Sequence, residues 1–207
     1  MPVETIFAFT LASVLLAFAP GPDNLFVLTQ SALKGVKAGI YVTFGLATGL
    51  IVHTAAVVLG LAALIQVSVV AFTVLKLVGA AYLLYLAWGA FRAKPEIAGD
   101  GEDAGLSGFQ YYRRGIIMNV TNPKVSIFFL AFLPQFVDPA SGSITIQMLT
   151  LAFVFFLVTI VVFSLFALLS GFLGSRLAKS EKAQNVMNKI AAFVFAGLAA
   201  KLLVSKA

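Results

Sequence analysis

Pro20-Gly21-Pro22-Asp23-Asn24 and, about one hundred residues later, Asn119-Val120-Thr121-Asn122-Pro123-Lys124 interrupt two long hydrophobic stretches of this chain. Proline has no N–H to donate, and its ring clashes with the carbonyl four residues earlier, so neither motif continues an unbroken helix. In hydrocarbon each freed amide or carbonyl costs several kcal/mol, and irregular backbone persists only where protein or a water-filled cavity shelters it. A single break reads as a kink held by a neighbouring helix. A matched pair points to a site near the bilayer midplane, built from two discontinuous helices.

Composition supports the membrane setting. Of 207 residues, 61% are hydrophobic and 11% charged, with a mean hydropathy of +1.04, against roughly 45–50% and about 25% in soluble domains. Six apolar segments are expected, at residues 5–30, 39–66, 69–91, 112–137, 144–173 and 186–204. At about 20 residues per span they consume about 120 residues and leave no room for a second domain. The expected fold is an all-α integral membrane protein of six transmembrane helices, with helices 1 and 4 broken at the proline motifs. A polar stretch at 93–110, rich in Gly, Asp and Glu, divides the chain into residues 1–92 and 111–207. Three helices per half is an odd number, so the second half enters the membrane inverted, as in two inverted repeats.

Ten of the fourteen basic residues fall in alternate connections: Lys34 and Lys37; Arg92, Lys94, Arg113 and Arg114; Arg176, Lys179, Lys182 and Lys189. By the positive-inside rule that side is cytoplasmic, the 93–110 linker with it, and both termini are periplasmic. The same distribution argues against nucleic acid as the reason for the formal charge of +6. Ala17-Phe18-Ala19 looks like a signal-peptide cleavage site, but the run before it contains Glu4 and no Lys or Arg. It therefore reads as the first membrane helix. The absence of cysteine excludes disulfides, thiolate metal sites and thiol redox chemistry.

The breaks also carry the chemistry. After Pro20-Gly21-Pro22 a half-helix restarts, and its first amides, around residues 24–26, are expected to lack intrahelical partners and to attract an anion such as a substrate carboxylate. Asp23 is the one acidic residue well inside an apolar segment, where an ionised carboxylate costs roughly 2.5–3.5 kcal/mol on insertion scales. Three roles are open to it: holding a substrate ammonium, carrying a coupling proton, or pairing with Lys124. Pro123 withdraws a donor from the second helix, and Asn119 and Asn122 can satisfy freed backbone or reach a ligand. Lys124 either binds a carboxylate, neutralises Asp23 or snorkels toward the interface.

Gly45, Gly49 and His53 follow i, i+4, i+8 spacing. The glycines permit close helix approach. His53, the sole histidine, either exchanges protons near neutral pH or is held by a neighbouring hydroxyl or carbonyl. Lys76 reads as snorkelling or functional, Tyr82 and Tyr85 as packing or site hydroxyls, and Trp88 with Arg92 as an interface anchor. Gln30 and Gln135 end the two broken helices.

Together the motifs resemble the lysine exporter/homoserine-threonine resistance (LysE/RhtB) family of amino-acid efflux proteins over nearly the whole chain. The resemblance is carried by Pro20-Gly21-Pro22, by Gly45 and Gly49, and by Lys76, Gly79, Ala80, Tyr82, Leu83, Tyr85 and Leu86 through Arg92. It continues in Asn119, Asn122-Pro123-Lys124, Phe128-Phe129, Phe132 and Pro134-Gln135-Phe136. At Ala87 the family often has glycine, a small departure that affects local packing. The resemblance implies a secondary active exporter in the bacterial inner membrane, moving amino acids or their derivatives, homoserine and threonine among them, by proton antiport. Its partners would be substrate, protons and lipid, with no cofactor, and small-residue faces leave room for a homodimer. The alternative is a metal- or other cation-exporting protein, for which one His and one embedded Asp are too few ligands. An intramembrane enzyme would require a second embedded acid or a Ser–His pair, which no spacing supplies.

Overall fold

The computed structural model describes residues 1–19, 21–61, 69–93, 106–173 and 181–204. Pro20, residues 94–105 of the expected linker, and the basic residues Lys94, Arg176, Lys179 and Lys206 lie outside them. The described residues form helices and turns, without strands. Helix α1 spans Val3–Phe18 and α2 Pro22–Lys34; α2 starts with proline at its first position, where the missing N–H is no loss. At Gly35 (φ 91°) the chain turns directly into α3, Val36–Ala56. Glycine takes that left-handed backbone without penalty, so the two helices meet at one residue instead of the longer gap expected from hydropathy. A π-helical turn, Val57–Leu61, extends α3.

Helix α4 spans Val69–Arg92. Helix α5, Gly108–Val120, is opened by a reciprocal cap: Gln110 N–H donates to Ser107 Oγ (3.3 Å) and Ser107 N–H to Gln110 Oε1 (2.7 Å). That capping box starts the helix inside the stretch read as linker, because hydropathy does not register a cap. Helix α6, Pro123–Ile127, runs on through a π-helical turn at Phe128–Phe132 and a 3₁₀ turn at Leu133–Phe136. Helices α7, Ile144–Leu173, and α8, Glu181–Val204, complete the fold.

The bends fall at the proline motifs: 61° between α1 and α2, and 50° between α5 and the Pro123–Phe136 segment. Among the described residues, three helices are individually long and apolar enough to cross a bilayer, or up to five spans if each bent pair counts as one. The expected sixth span coincides with α8 and is not among these five. On α7 a stripe at every fourth position, Leu149, Phe153, Leu157, Val161 and Leu165, is exposed, while Met148, Leu151, Phe155, Val162 and Phe166 are buried. A helix apolar on both faces is stable only where its outer face meets lipid.

Packing links the two halves throughout. Helix α3 lies against α5 and α7, α2 against α7, α1 against α7 and α8, and α4 against α8. Helices α3 and α5 approach closely. A Cβ on Gly45 would collide with the Tyr112 carbonyl and lie 3.0 Å from Gly115 Cα, and one on Gly115 would meet the Val42 carbonyl. Two apolar clusters result. One gathers Phe9, Leu83, Phe128, Phe132, Phe155 and Phe195; the other gathers Val27, Val42, Leu46, Tyr111, Phe163 and Phe166. At both breaks the chain passes from one cluster toward the other.

Because the blocking atoms at Gly45 are main chain, Gly45→Ala forces α3 and α5 apart and costs roughly 1–3 kcal/mol. Gly89, with open space around it, is the control. Thermal unfolding in detergent should show a lowered midpoint for Gly45→Ala and none for Gly89→Ala; equal midpoints would refute the close contact.

Candidate functional site

Helix α1 ends at Phe18, and its last carbonyls need partners that the broken ladder no longer supplies. Asn24 Nδ2 donates to Ala17 O (2.6 Å), and the Lys124 ammonium, 105 residues away in sequence, donates to Ala19 O (3.0 Å). Lys124 also donates to Asn24 Oδ1 (3.4 Å), which ties the two repairs together. A Cβ on Gly21 would lie 3.0 Å from Lys124 Nζ, so the absence of a side chain there admits the lysine.

The second break is repaired in the same manner. Asn119 O accepts from Asn122 N–H (3.0 Å) and from His53 Nε2 (3.0 Å). A carbonyl only accepts, so this contact assigns the proton to Nε2. Asn122 caps α6 by accepting the Lys124 backbone N–H at Oδ1 (3.0 Å). A Cβ on Gly49 would come within 2.7 Å of Asn119 Cβ, so Gly49 allows Asn119 to sit against α3.

Asp23, Asn24, Asn119, Asn122, Lys124 and His53 are all buried. Asp23 has Lys124, Asn122 and His53 as its charged and polar neighbours, yet both hydrogen bonds of the Lys124 ammonium go elsewhere. Among the described residues, three side-chain atoms here make no hydrogen bond within 3.5 Å: Asp23 Oδ1, Asn119 Oδ1 and Asn122 Nδ2. Asp23, Asn119 and Lys124 line a cavity of about 20 Å³, walled also by Leu46, Phe155 and Thr159. That holds about one water molecule and is far below the roughly 300 Å³ at the lower end of small-molecule pockets. Orphaned polar atoms around so small a space leave hydrogen-bonding capacity unfilled.

The geometry corrects one expectation about the half-helix. Leu25 N–H donates to Gly21 O (3.0 Å), so the ladder of α2 begins there. The amides left outside it are those of Asp23 and Asn24, one turn position earlier than residues 24–26. Gly21 offers no side-chain cap, so this end, unlike that of α6, has no built-in acceptor.

Of the residues singled out from sequence, Gly21, Pro22, Asp23, Asn24, Gly49, His53, Asn119, Asn122, Pro123 and Lys124 come together at the two breaks. Gly45 serves the α3–α5 contact instead. Lys76 is buried on α4 instead of snorkelling at a surface. Tyr82 and Tyr85 pack on each other at 5.8 Å, Tyr85 largely exposed. Gln135 donates weakly to Ala131 O (3.5 Å) and lines a different pocket. Gln30 is buried with its Oε1 unpartnered, away from these contacts. Thr159 was not anticipated; its Oγ1 donates to Phe155 O (2.9 Å) on α7. A hydroxyl within the most apolar segment was the signal for it.

The family model of the LysE type translocator matches residues 14–206, and the chain belongs to that family. It is 33% identical over 189 residues to the homoserine/homoserine lactone efflux protein of Salmonella typhimurium, covering 91% of each chain. It is 28% identical to the leucine efflux protein of Salmonella choleraesuis, over 97% of this chain and 95% of that one. An uncharacterized membrane protein of Bacillus subtilis is 30% identical over 96% of this chain and 98% of its own length. No solved structure matches significantly.

His53→Phe removes one of the two donors to Asn119 O, the Asn122 N–H remaining, and losing that bond costs about 0.5–1.5 kcal/mol. His53→Gln retains an N–H. Unfolding of purified protein in lipid nanodiscs should show a loss for the Phe variant that the Gln variant largely restores; equal losses would show that the bond to Asn119 contributes nothing.

Proposed function

We propose that this chain, as a member of the LysE type translocator family, is a secondary active exporter of amino acids or their derivatives. The reading places it in the bacterial inner membrane with both termini periplasmic and couples it to protons. The observation that carries it is the meeting of both broken helices at one buried cluster, where Lys124 of the second half reaches Ala19 O of the first. A zwitterion has one group for each part of that cluster. Its carboxylate suits the α2 N-terminus, where the Asp23 and Asn24 amides precede the first bond of the α2 ladder, together with the Lys124 ammonium. Its ammonium suits the unpartnered oxygen of Asp23. With room for only about one water, the cluster corresponds to an occluded site, and substrate enters when one half moves against the other.

Two inverted repeats of three spans, α1–α2, α3 and α4 against α5–α6, α7 and α8, account for the packing. Exchanging the halves turns the α3–α5 contact into the α7–α1 contact and leaves α3–α7 and α4–α8 unchanged, and all four are present. Pro22-Asp23 and Pro123-Lys124 occupy the same place, the first two residues after each break. The repeat plan therefore puts opposite charges at equivalent positions. Moving one charge through 100 mV supplies about 2.3 kcal/mol, against about 1.4 kcal/mol for a tenfold gradient, so one exchanged proton suffices. Asp23 is the carboxylate placed to carry it, with His53 beside it.

Cells expressing the chain should retain less labelled amino acid than controls when threonine, homoserine, leucine, lysine and arginine are compared side by side. Asp23→Asn should lose export at normal membrane abundance, by about tenfold or more, equivalent to one lost charge-assisted contact. Parental export by Asp23→Asn would defeat both ammonium binding and proton carriage by Asp23. The exchange Asp23→Lys with Lys124→Asp should reach the membrane and remain inactive; recovered transport would reduce the two residues to a structural pair.

A further inference from the structure

A second cavity, of about 380 Å³, lies between the start of α1, the turn after α6 and the end of α8. Its volume falls within the range of small-molecule sites. Its wall brings charges of opposite sign from separate helices: Glu4 from the first turn of α1 and Lys201 from the last turn of α8, with Gln135 and Asp138 between them. The Lys201 ammonium stands 4.0 Å from the centre of the Phe136 ring and 5.7 Å from that of Phe132.

The far wall is built, not loose. Ser141 Oγ donates to Asp138 Oδ2 (2.6 Å) and Ala140 N–H to Oδ1 (2.9 Å), which holds the Asp138 carboxyl below the usual carboxylate range. Gln147 then clamps the same turn, donating to Asp138 O (2.8 Å) and accepting the Asp138 N–H (3.0 Å). Asp138 is thus committed to its own turn, which leaves Glu4 as the acidic group available to a ligand.

Beneath the cavity the aromatic rings form a continuous plug. Phe136 contacts Phe9 (5.2 Å) and Phe132 (5.1 Å), both contact Phe128 (5.7 and 5.0 Å), and Phe128 meets Phe155 (4.9 Å), a wall of the small cavity at Asp23. An unbroken series of ring contacts thus runs from one cavity to the other.

We infer that this cavity is a second station for the amino acid, on the side where α1 begins, with Lys201 at the substrate carboxylate, Glu4 at its ammonium, and the Phe9–Phe128–Phe132–Phe136 plug as the gate to the buried site. The inference rests on the export reading for the direction of travel. The pairing of an ammonium and a carboxylate across one open cavity selects a zwitterion over a plain cation or anion.

The lack of cysteine makes the test clean. Thr5→Cys on the wall is labelled with a charged, membrane-impermeant methanethiosulfonate in intact cells, with Ala8→Cys as the substitute if Thr5→Cys fails to reach the membrane. External L-homoserine or L-leucine at about ten times its Kd should slow labelling about tenfold. Lys201→Gln should abolish that protection and Lys201→Arg should keep it. Labelling indifferent to both amino acids in cells that export either one would overturn the second station and leave the export reading standing. Protection without export of any amino acid would do the reverse.

Discussion

Hydrocarbon offers no partner to a freed carbonyl, and the structure is organised around that fact. Two proline motifs open two helices in the buried interior, and each opening is closed by side chains. Lys124 closes the end of α1, His53 the end of α5, and Asn24 folds back on Ala17. Hydrogen bonds to charged groups contribute about 1.5–3 kcal/mol each, more than a surface ion pair. Such contacts hold the two halves together at the same place where they leave amides and a carboxylate open. The polar side chains of the site are thus structural caps first, and any ligand that enters must compete with or extend the bonds they already make.

The rest of the molecule makes those bonds geometrically possible. Lys124 reaches Ala19 because Gly21 has no side chain in its way, and Asn119 reaches His53 because Gly49 lets α5 sit against α3. Gly45 and Gly115 set the separation of that helix pair, in a medium where close packing of small residues, not exclusion of water, drives association. The aromatic cluster on the other side fills volume without adding polar groups. It insulates the break region, and Lys201 stands over its outermost rings.

Much of the arrangement was legible in the residues. Pro22 and Pro123 marked both breaks, Asp23 and Lys124 stood out as charges in apolar segments, and the spacing of Gly45, Gly49 and His53 put them on one face of α3. Other parts were not. The acceptors at Ala17 and Ala19 are backbone carbonyls, which every residue has and no motif announces. The ladder of α2 starts at the Gly21 carbonyl, ahead of which lie the Asp23 and Asn24 amides, a register that hydropathy does not resolve. Lys76, read as either snorkelling or functional, is buried on α4, a helix packed against α8. Glu4 and Lys201, nearly two hundred residues apart, share a cavity only because the first and last helices pack together.

The sequence alone determined that the chain is helical and membrane-embedded, where the helices break, and which charged groups lie at the breaks. Those properties are local: proline chemistry, hydropathy and charge act within a few residues of themselves. Only the tertiary structure decided which donor serves which carbonyl, how much space remains around Asp23, and that a second, larger cavity stands behind an aromatic plug. Each of these depends on distances between segments remote in the chain, and hydrogen bonds and packing are effective only at separations that the assembled helices set.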